Sequence, residues 1–171
     1  MYESVGKGII FVGGVHGVGK TTLCSKIAKK YNINYYSSSN LISKLSDEKL
    51  RSDKLVKNIN KNQDILIEAT NRYITDDKSC LLDGHFCLIN DKKNIEKVPI
   101  STFKRLKIKK IIIVTDKALN IVNRLYKRDN KKYSIDFINK FQIQEIEYAK
   151  YVSKVLDVLY EQISLDDKKM V

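Results

Sequence analysis

The segment GVHGVGKT, residues 14–21, decides how this chain is interpreted. Its spacing is G-x-x-x-x-G-K-(S/T), the Walker A pattern, in which glycines let the backbone turn and approach an anion closely. The apolar run GIIFV, residues 8–12, precedes it, and an amphipathic stretch, residues 20–31, follows it. A strand, a glycine-rich turn and a helix in this order predict a phosphate-binding loop, or P-loop.

The chemistry of this segment predicts binding of a nucleoside triphosphate. Successive backbone N–H groups and the start of the following helix surround the phosphates. Lys20 is expected to reach the β- and γ-phosphates, and Thr21 to offer a hydroxyl to Mg²⁺. His16 occupies a variable position and is expected to contribute its backbone amide. The predicted nucleotide-binding residues are Gly14, Val15, His16, Gly17, Val18, Gly19, Lys20, Thr21 and Thr22. The predicted cofactors are ATP, with GTP as the alternative, and Mg²⁺.

Strand and helix patterns alternate along the whole chain. The predicted strands span residues 8–12, 34–36, 79–83, 109–115 and 159–163. The predicted helices span residues 20–31, 55–74, 116–128 and 134–156, with Asp116 placed to cap the third of them. This alternation indicates an α/β fold with a parallel sheet, in which ligands bind at the carboxyl ends of the strands. We expect one domain over residues 1–171.

Composition narrows the function classes. The chain has 171 residues, 43% of them hydrophobic, and no apolar run near the roughly 20 residues that a membrane helix needs. Three cysteines without a C-x-x-C pair and the absence of a signal-peptide pattern predict a cytoplasmic protein. The net charge of +12 suits phosphorylated small molecules, anionic lipid or nucleic acid. Because the lysines are scattered and no nucleic-acid motif accompanies them, a nucleic-acid partner is left open but not favoured.

A second candidate site follows the third predicted strand. Asp83 ends the apolar run of SCLLDGHF, so its carboxylate is expected to hold Mg²⁺ together with Thr21; the alternative is a turn cap beside Gly84. His85 is expected either to touch a substrate or to hydrogen-bond the backbone. The polar residues 37–40 precede a short predicted helix, so Ser38 and Asn40 are candidate acceptor contacts, with an N-cap role for Ser38 or Ser39 as the alternative.

Taken together, these motifs resemble the nucleoside monophosphate kinase group of the P-loop NTPase superfamily. More narrowly, they resemble the archaeal-type adenylate kinases. Four segments carry the resemblance, in the same order along the chain: GVHGVGKTT (residues 14–22), SDEKLRSDKL (residues 46–55), LLDGHFCL (residues 81–88) and NRLYKRDNKKYS (residues 123–134). His16 stands where that family usually has proline, and Gly84 where it has threonine.

The resemblance implies a three-layer α/β/α fold with five parallel strands in the order 2-3-1-4-5. It implies an acceptor-binding region at about residues 36–75, with Ser38, Asn40, Arg51 and His85 near the acceptor, and a short lid at about residues 128–134. It also implies that Arg124 and Arg128, four residues apart on one helix face, stabilise the transferring phosphoryl group with Lys20. A solvated basic helix end is the alternative for these arginines.

We therefore expect a transferase that moves the γ-phosphoryl group of ATP to a nucleoside monophosphate or a similar small phosphorylated acceptor. Two departures from the family favour a second hypothesis. The lid offers only Lys131 and Lys132, and the loop after His85 carries Asn90 and Lys92 instead of an arginine. The second hypothesis is a slow P-loop NTPase that acts as a regulatory module with an RNA or protein partner. The oligomeric state is left open, because no interface is readable from the sequence.

Overall fold

A computed structural model of the chain describes residues 8–50, 59–75 and 78–166. Within them, the runs of isoleucine, valine and leucine form the centre of a five-stranded parallel sheet, as their apolar character on both faces predicts. The strands of this sheet are β1 (Ile9–Gly13), β2 (Asn34–Ser37), β3 (Cys80–Asp83), β6 (Ile108–Thr115) and β7 (Leu159–Ser164). Their order is β2-β3-β1-β6-β7, so β1, which leads into the P-loop, lies at the centre.

In the part of the chain that the structure describes, six helices connect and cover these strands. They are α1 (Lys20–Tyr31), α2 (Ser38–Leu50), α3 (Ile59–Tyr73), α4 (Ile100–Arg105), α5 (Ala118–Asp129) and α6 (Ile135–Leu156). The result is the predicted three-layer α/β/α fold with a five-stranded parallel sheet. Within residues 8–50, 59–75 and 78–166, every helix is too short or too polar to cross a membrane.

Most predicted helix boundaries agree with the structure, and the differences have local causes. Ser134 is the N-cap of α6, because its hydroxyl accepts the N–H of Phe137 at 3.1 Å. The predicted cap of α5 at Asp116 is one residue early, because Lys117 takes the N-cap position. The Asp116 carboxylate accepts the Lys117 N–H just outside the helix. The predicted helix at residues 55–74 is confirmed from Ile59 onward, and its first residues lie outside the described part of the chain.

A small antiparallel hairpin between β3 and β6 was not predicted. Its strands, β4 (Cys87–Ile89) and β5 (Ile95–Lys97), are too short to produce a readable alternation, and α4 follows them. The Asn90 side chain closes the turn by accepting the N–H groups of Lys92 and Asn94. These two strands stand outside the main sheet. Counted along the chain without them, the main-sheet strands have the predicted order 2-3-1-4-5.

An aromatic cluster beneath the carboxyl end of β1 fixes the segment that follows β3. Phe86 lies edge-on to Phe11 of β1 at 5.1 Å between ring centroids, and it stacks on Phe103 of α4 at 4.8 Å. All three rings are buried. Because interiors are close-packed, these contacts leave the backbone around Phe86 little freedom to shift relative to the P-loop.

Candidate active site

A cavity of about 640 Å³ opens where β1, β2 and β3 end and α1 begins. It lies at the carboxyl edge of the parallel sheet, where ligands of α/β proteins bind. Its lining residues come from the P-loop, α1, the β2–α2 junction, the β3 end and α5. They are His16, Gly17, Gly19, Lys20, Thr21, Thr22, Ser37, Ser39, Asp83, His85, Arg124, Lys127 and Arg128.

The P-loop has the backbone conformation that its glycines were expected to allow. Gly14, Gly17 and Gly19 have φ angles of 149°, 77° and 107°. At Gly14 a Cβ would lie 2.8 Å from the carbonyl oxygen of Val114, so a larger residue would push the loop away from β6. Val15 and Val18 point into the core and are buried, so they can offer only backbone groups to a ligand.

Lys20 lies inside the P-loop, and the residue is 9% exposed. Its ammonium group donates to the carbonyl oxygens of Gly14, at 2.6 Å, and Val15, at 3.1 Å. Burial lowers the pKa of Lys20 to about 8, while the carboxylates of Glu145 and Asp83 oppose this change. The group therefore carries its charge at neutral pH and lies beside the loop amides that were expected to surround a phosphate.

Glu145 of α6 lies directly behind the P-loop, and the sequence analysis did not identify it. The residue is 1% exposed, and its carboxylate accepts three backbone N–H groups, from Gly14 at 3.1 Å, Phe86 at 2.9 Å and Cys87 at 2.7 Å. Burial raises the pKa of Glu145, and these hydrogen bonds together with Lys20 act against the increase. A lone glutamate on an amphipathic helix carries no sequence signal of this role.

Asp83 and Thr21, the two predicted metal ligands, both line the cavity. Asp83 ends β3 and is buried, and its Oδ2 accepts the hydroxyl of Tyr35 from β2. A further hydrogen bond joins the Tyr35 hydroxyl to Thr21. Burial and the contact with Asp83 raise the pKa of Tyr35, so its proton stays between the two oxygens. Tyr35 is a second residue at this site that the sequence analysis missed.

Two histidines face each other across the P-loop. The ring centroids of His16 and His85 lie 4.3 Å apart, and the two ring planes make an angle of 40°. Burial of the ring and the nearby charge of Lys20 lower the pKa of His16 to about 4 and that of His85 well below its usual range. Both imidazoles are therefore neutral at physiological pH. His85 also hydrogen-bonds the Gly14 backbone, while its Nδ1 is buried without a partner among the described residues.

Arg124 braces the P-loop from α5. Its guanidinium donates to the carbonyl oxygens of Gly17, at 3.0 Å, and Val18, at 3.1 Å, and it pairs with the Asp116 carboxylate. The Asp116 side chain is 1% exposed. Burial alone would raise its pKa, but hydrogen bonds from Asn120 and Arg124 lower it. Arg124 lines the cavity, but its guanidinium N–H groups named here are bonded to protein oxygens.

Arg128 lies one turn further along α5, at the boundary between the main cavity and a smaller one of about 110 Å³ under residues 129–133. Its guanidinium pairs with Asp129 through two hydrogen bonds, of 2.9 and 2.7 Å. The side chain is 59% exposed, so a phosphate group could take the place of Asp129 with little rearrangement. The predicted lid residue Lys131 lines the smaller cavity.

Comparison with protein-family models gives one match, described as an AAA domain, over residues 13–142. This span starts at the P-loop and includes β3, α5 and the first part of α6. The chain belongs to the AAA domain family. No curated protein matches it.

Among solved structures, this AAA domain is similar to a gluconokinase from Sinorhizobium meliloti 1021. The TM-score is 0.52 at 10% identity, covering 93% of this chain and 83% of the other. At this identity the match shows a shared fold. An uncharacterized protein from Eubacterium ventriosum ATCC 27560 matches with a TM-score of 0.49 and 13% identity, over 94% of this chain and 91% of the other. The resemblance to the archaeal-type adenylate kinases stays a prediction.

The predicted acceptor residues of the AAA domain lie in different environments, and only some of them are at the cavity. Ser38 is buried, and its hydroxyl donates to the carbonyl oxygen of Asp83 at 2.5 Å, while its neighbours Ser37 and Ser39 line the cavity. Asn40 is exposed on the first turn of α2 and is not among the lining residues. His85 lines the cavity. Arg51 lies outside the described part of the chain.

Gly84 explains one departure of this AAA domain from the adenylate kinase pattern. A Cβ at Gly84 would come within 2.6 Å of the Phe11 ring and 2.9 Å of the Ser38 hydroxyl. The aromatic cluster and the Ser38 hydrogen bond therefore occupy the space that a threonine side chain would need. Glycine at this position follows from the packing around it.

Proposed function

We propose that this AAA domain protein is a cytoplasmic small-molecule kinase. It transfers the γ-phosphoryl group of Mg-ATP to a nucleoside monophosphate or a similar small phosphorylated acceptor. The observation that supports this proposal best is a single cavity that combines the P-loop with Arg128, the Asp83 carboxylate and a neutral wall of hydroxyl and imidazole groups. A loop that only binds phosphate would not need these hydroxyl and imidazole groups opposite it.

In this proposal the charge of the transferring phosphoryl group is neutralised by side chains on α1 and α5. Lys20 is buried beside the loop amides and bears a positive charge at neutral pH. Arg128 exchanges Asp129 for phosphate oxygens, whose geometry suits a bidentate guanidinium. Arg124 contributes to the same charge field while it holds the carbonyl oxygens of Gly17 and Val18. Phosphoryl transfer depends mainly on such positioning and charge stabilisation.

The oxygen ligands offered by the end of β3 and the start of α1 fit a magnesium ion. Carboxylate and hydroxyl oxygens are the ligands that this hard cation prefers, and Asp83 and Thr21 supply one of each. When bound, Mg²⁺ would neutralise phosphate charge next to the nucleotide. Tyr35, whose hydroxyl contacts both residues, keeps the two oxygens oriented toward the same point.

The histidines favour an acceptor that brings its own ionised oxygen. With a pKa of about 4, His16 is too weak a base to remove a proton from an alcohol. A phosphate monoester has a second pKa of about 6, so it is largely dianionic at neutral pH and needs no general base. We therefore expect His85, Ser37 and Ser39 to orient the acceptor and take no proton from it.

The test is a coupled assay in which Mg-ATP, and in parallel Mg-GTP, is incubated with each common nucleoside monophosphate while diphosphate is detected. Turnover that depends on one acceptor supports the proposal, and the ATP and GTP arms identify the donor. Hydrolysis that no acceptor changes would refute the kinase proposal.

That second outcome would support the alternative function, a slow NTPase that serves as a regulatory module. The pairing of both α5 arginines with protein oxygens favours this alternative, because a site in that state has few free donors for a transition state. A partner of this module would be a protein or, given the net charge of +12, an RNA. Stimulation of hydrolysis by RNA, with a strong dependence on salt, would distinguish the RNA partner.

A further inference from the structure

Arg124 of α5 connects the P-loop to the residue that follows β6. Its Nη1 donates to the carbonyl oxygens of Gly17, at 3.0 Å, and Val18, at 3.1 Å, and its Nη2 pairs with the Asp116 carboxylate. A second contact between α5 and the loop does not involve the guanidinium, because a Cβ on Gly17 would lie 2.8 Å from Cγ of Leu125. The loop therefore packs directly against α5 at the turn that Arg124 holds.

Asp116 is held through both its side chain and its backbone. The side chain is 1% exposed, and Oδ1 accepts the N–H of Lys117 at 2.8 Å and the amide of Asn120 at 2.9 Å, while Oδ2 accepts Arg124. The Gln142 amide of α6 accepts the Asp116 N–H at 3.2 Å and donates to the Asp116 carbonyl oxygen at 2.9 Å. A carboxylate fixed in this way can hold a guanidinium in one orientation.

The carbonyl oxygens that Arg124 holds determine where the next N–H groups of the loop point. In a trans peptide unit, the C=O and N–H groups point in opposite directions. The bond to the Val18 carbonyl oxygen therefore directs the N–H of Gly19 away from the guanidinium, and Gly19 lines the cavity. The N–H that follows the Gly17 carbonyl belongs to Val18, and it donates to the Val15 carbonyl oxygen at 3.3 Å. Arg124 thus orients two peptide units of the P-loop.

We propose that Asp116 is a positioning residue of the nucleotide site, which holds Arg124 against the P-loop carbonyl oxygens and thereby orients the loop N–H groups for phosphate. The proposal rests on the nucleotide binding of the proposed function and adds a residue to it. Within the described part of the chain, Asp116 does not line the cavity. Its effect on a phosphate therefore passes through Arg124 and the loop.

The competing role for Asp116 is to withhold Arg124 from the ligand. Arg124 lines the cavity and 44% of its side chain is exposed, so a guanidinium released by Asp116 could turn toward a phosphate. The two roles predict opposite results when the pair is broken. If Asp116 positions the loop, phosphate binding becomes weaker, whereas if it withholds Arg124, phosphate binding becomes tighter.

The experiment measures binding of Mg-ATP and of inorganic triphosphate with Mg²⁺ by calorimetry at one pH, for the wild type and Asp116→Asn. Asparagine keeps the shape of the side chain, but it has one acceptor oxygen in place of two and carries no charge. We expect both dissociation constants to rise about tenfold, the lower end of the cost of losing a hydrogen bond to a charged group. Because triphosphate has no base or sugar, equal losses assign the effect to the phosphates. Unchanged or tighter binding, or a loss for Mg-ATP alone, would overturn the proposal.

Asp64→Asn is the matched control, because it makes the same substitution in another pair of a carboxylate with an arginine. Asp64 of α3 pairs with Arg105 of α4 at 2.7 Å on the surface, and neither of these two residues lines the cavity. Exposed pairs contribute little, so both dissociation constants should stay within about twofold of the wild type. A loss as large as that in Asp116→Asn would show a general effect of charge and refute the positioning role.

Arg124→Lys tests the other member of the pair. Lysine keeps the positive charge, but its ammonium cannot reproduce a planar guanidinium that bonds three oxygens at once. We expect a loss like that of Asp116→Asn, and the double variant should lose little more than either single variant, because both substitutions break one interaction. Losses that multiply to about a hundredfold would show independent action and refute the proposal. If Asp116→Asn does not fold, unchanged binding by Arg124→Lys would refute it as well.

Hydrogen exchange in the absence of any ligand separates this proposal from the proposed function. Followed by mass spectrometry, the peptide that contains the P-loop should exchange faster in Asp116→Asn and Arg124→Lys than in the wild type, because its turn is held less firmly. In Asp64→Asn the same peptide should exchange at the wild-type rate. Equal rates in all four proteins would refute the positioning role even if nucleotide binds. Faster exchange in the two variants, with no binding of either ligand by the wild type, would refute only the proposed function.

Discussion

The two walls of the cavity differ in the kind of groups they present. The wall built from α1 and α5 carries four cations, which are Lys20, Arg124, Lys127 and Arg128. The wall built from the ends of β2 and β3 carries Ser37, Ser39, Asp83 and His85, and among the described residues no cation lines it. The first wall suits a polyphosphate, and the second suits a metal ion and a polar ligand.

Among the described residues, every cationic side chain that lines the cavity therefore lies on one of its two sides. Within the cationic wall, the groups also differ in freedom, since Lys20 is buried and hydrogen-bonded whereas Arg128 is exposed and paired with its neighbour Asp129. Buried groups are pre-positioned, and exposed groups must exchange partners when a ligand binds. Substitutions on the two walls should therefore produce different kinetic changes.

The largest effect should come from the cationic wall, with Lys20→Ala. Removal of a preorganised, buried cation at the transferring group should lower turnover by roughly 10³-fold, at the upper end of the cost of losing one such donor. Steady-state turnover measures the loss, and thermal unfolding verifies that the variant is folded. Full activity in a folded variant would show that the P-loop has been misinterpreted.

Arg128→Ala should have the next largest effect. Because its phosphate contact is assigned to the transition state, kcat should fall about 30-fold while the nucleotide dissociation constant changes by less than about threefold. Lys104→Ala, which removes an exposed cation of α4 that does not line the cavity, is the control for net charge. A weaker nucleotide affinity with unchanged kcat would place Arg128 in ground-state binding.

On the second wall, Asp83→Asn tests the metal assignment. Loss of a carboxylate ligand should raise the Mg²⁺ concentration for half-maximal turnover by about tenfold, within the range expected when a metal site is weakened. A magnesium titration at fixed nucleotide measures this change. Tyr35→Phe, which keeps the carboxylate and removes only its hydrogen-bond donor, should change the titration less. Identical titrations for Asp83→Asn and the wild type would remove Asp83 from the metal site.

The smallest effect is expected for His85→Ala. If this neutral imidazole orients the acceptor, KM for the acceptor should rise about threefold to tenfold, the cost of one hydrogen bond, with nucleotide affinity nearly unchanged. The companion variant is His16→Pro, which introduces the proline usual in the archaeal-type adenylate kinases and removes the other ring of the His16–His85 pair. A larger change in nucleotide affinity than in acceptor KM would indicate that His85 contacts the nucleotide and not the acceptor.

The parts of the site that lie close together in sequence were predictable. The P-loop depends on a local conformation, since three glycines with positive φ angles and one lysine stand within seven residues of each other. Asp83 and its strand were predictable for a similar reason, because a continuous apolar run ends at the acid. The arginine pair on α5 was expected from the resemblance to the adenylate kinases, but its partners were not predicted. Asp116 had been interpreted as a helix cap, whereas its carboxylate also holds Arg124.

By itself, the sequence determined a P-loop at the carboxyl edge of a parallel sheet, because periodicity and glycine spacing act over short stretches of chain. Only the tertiary structure decided what stands behind that loop. Glu145 reaches Gly14 across 131 residues, and Tyr35 reaches Asp83 across 48. Such contacts depend on how α6 and β2 pack against the sheet. A polar residue on an amphipathic element has the same local pattern whether it faces water or the site.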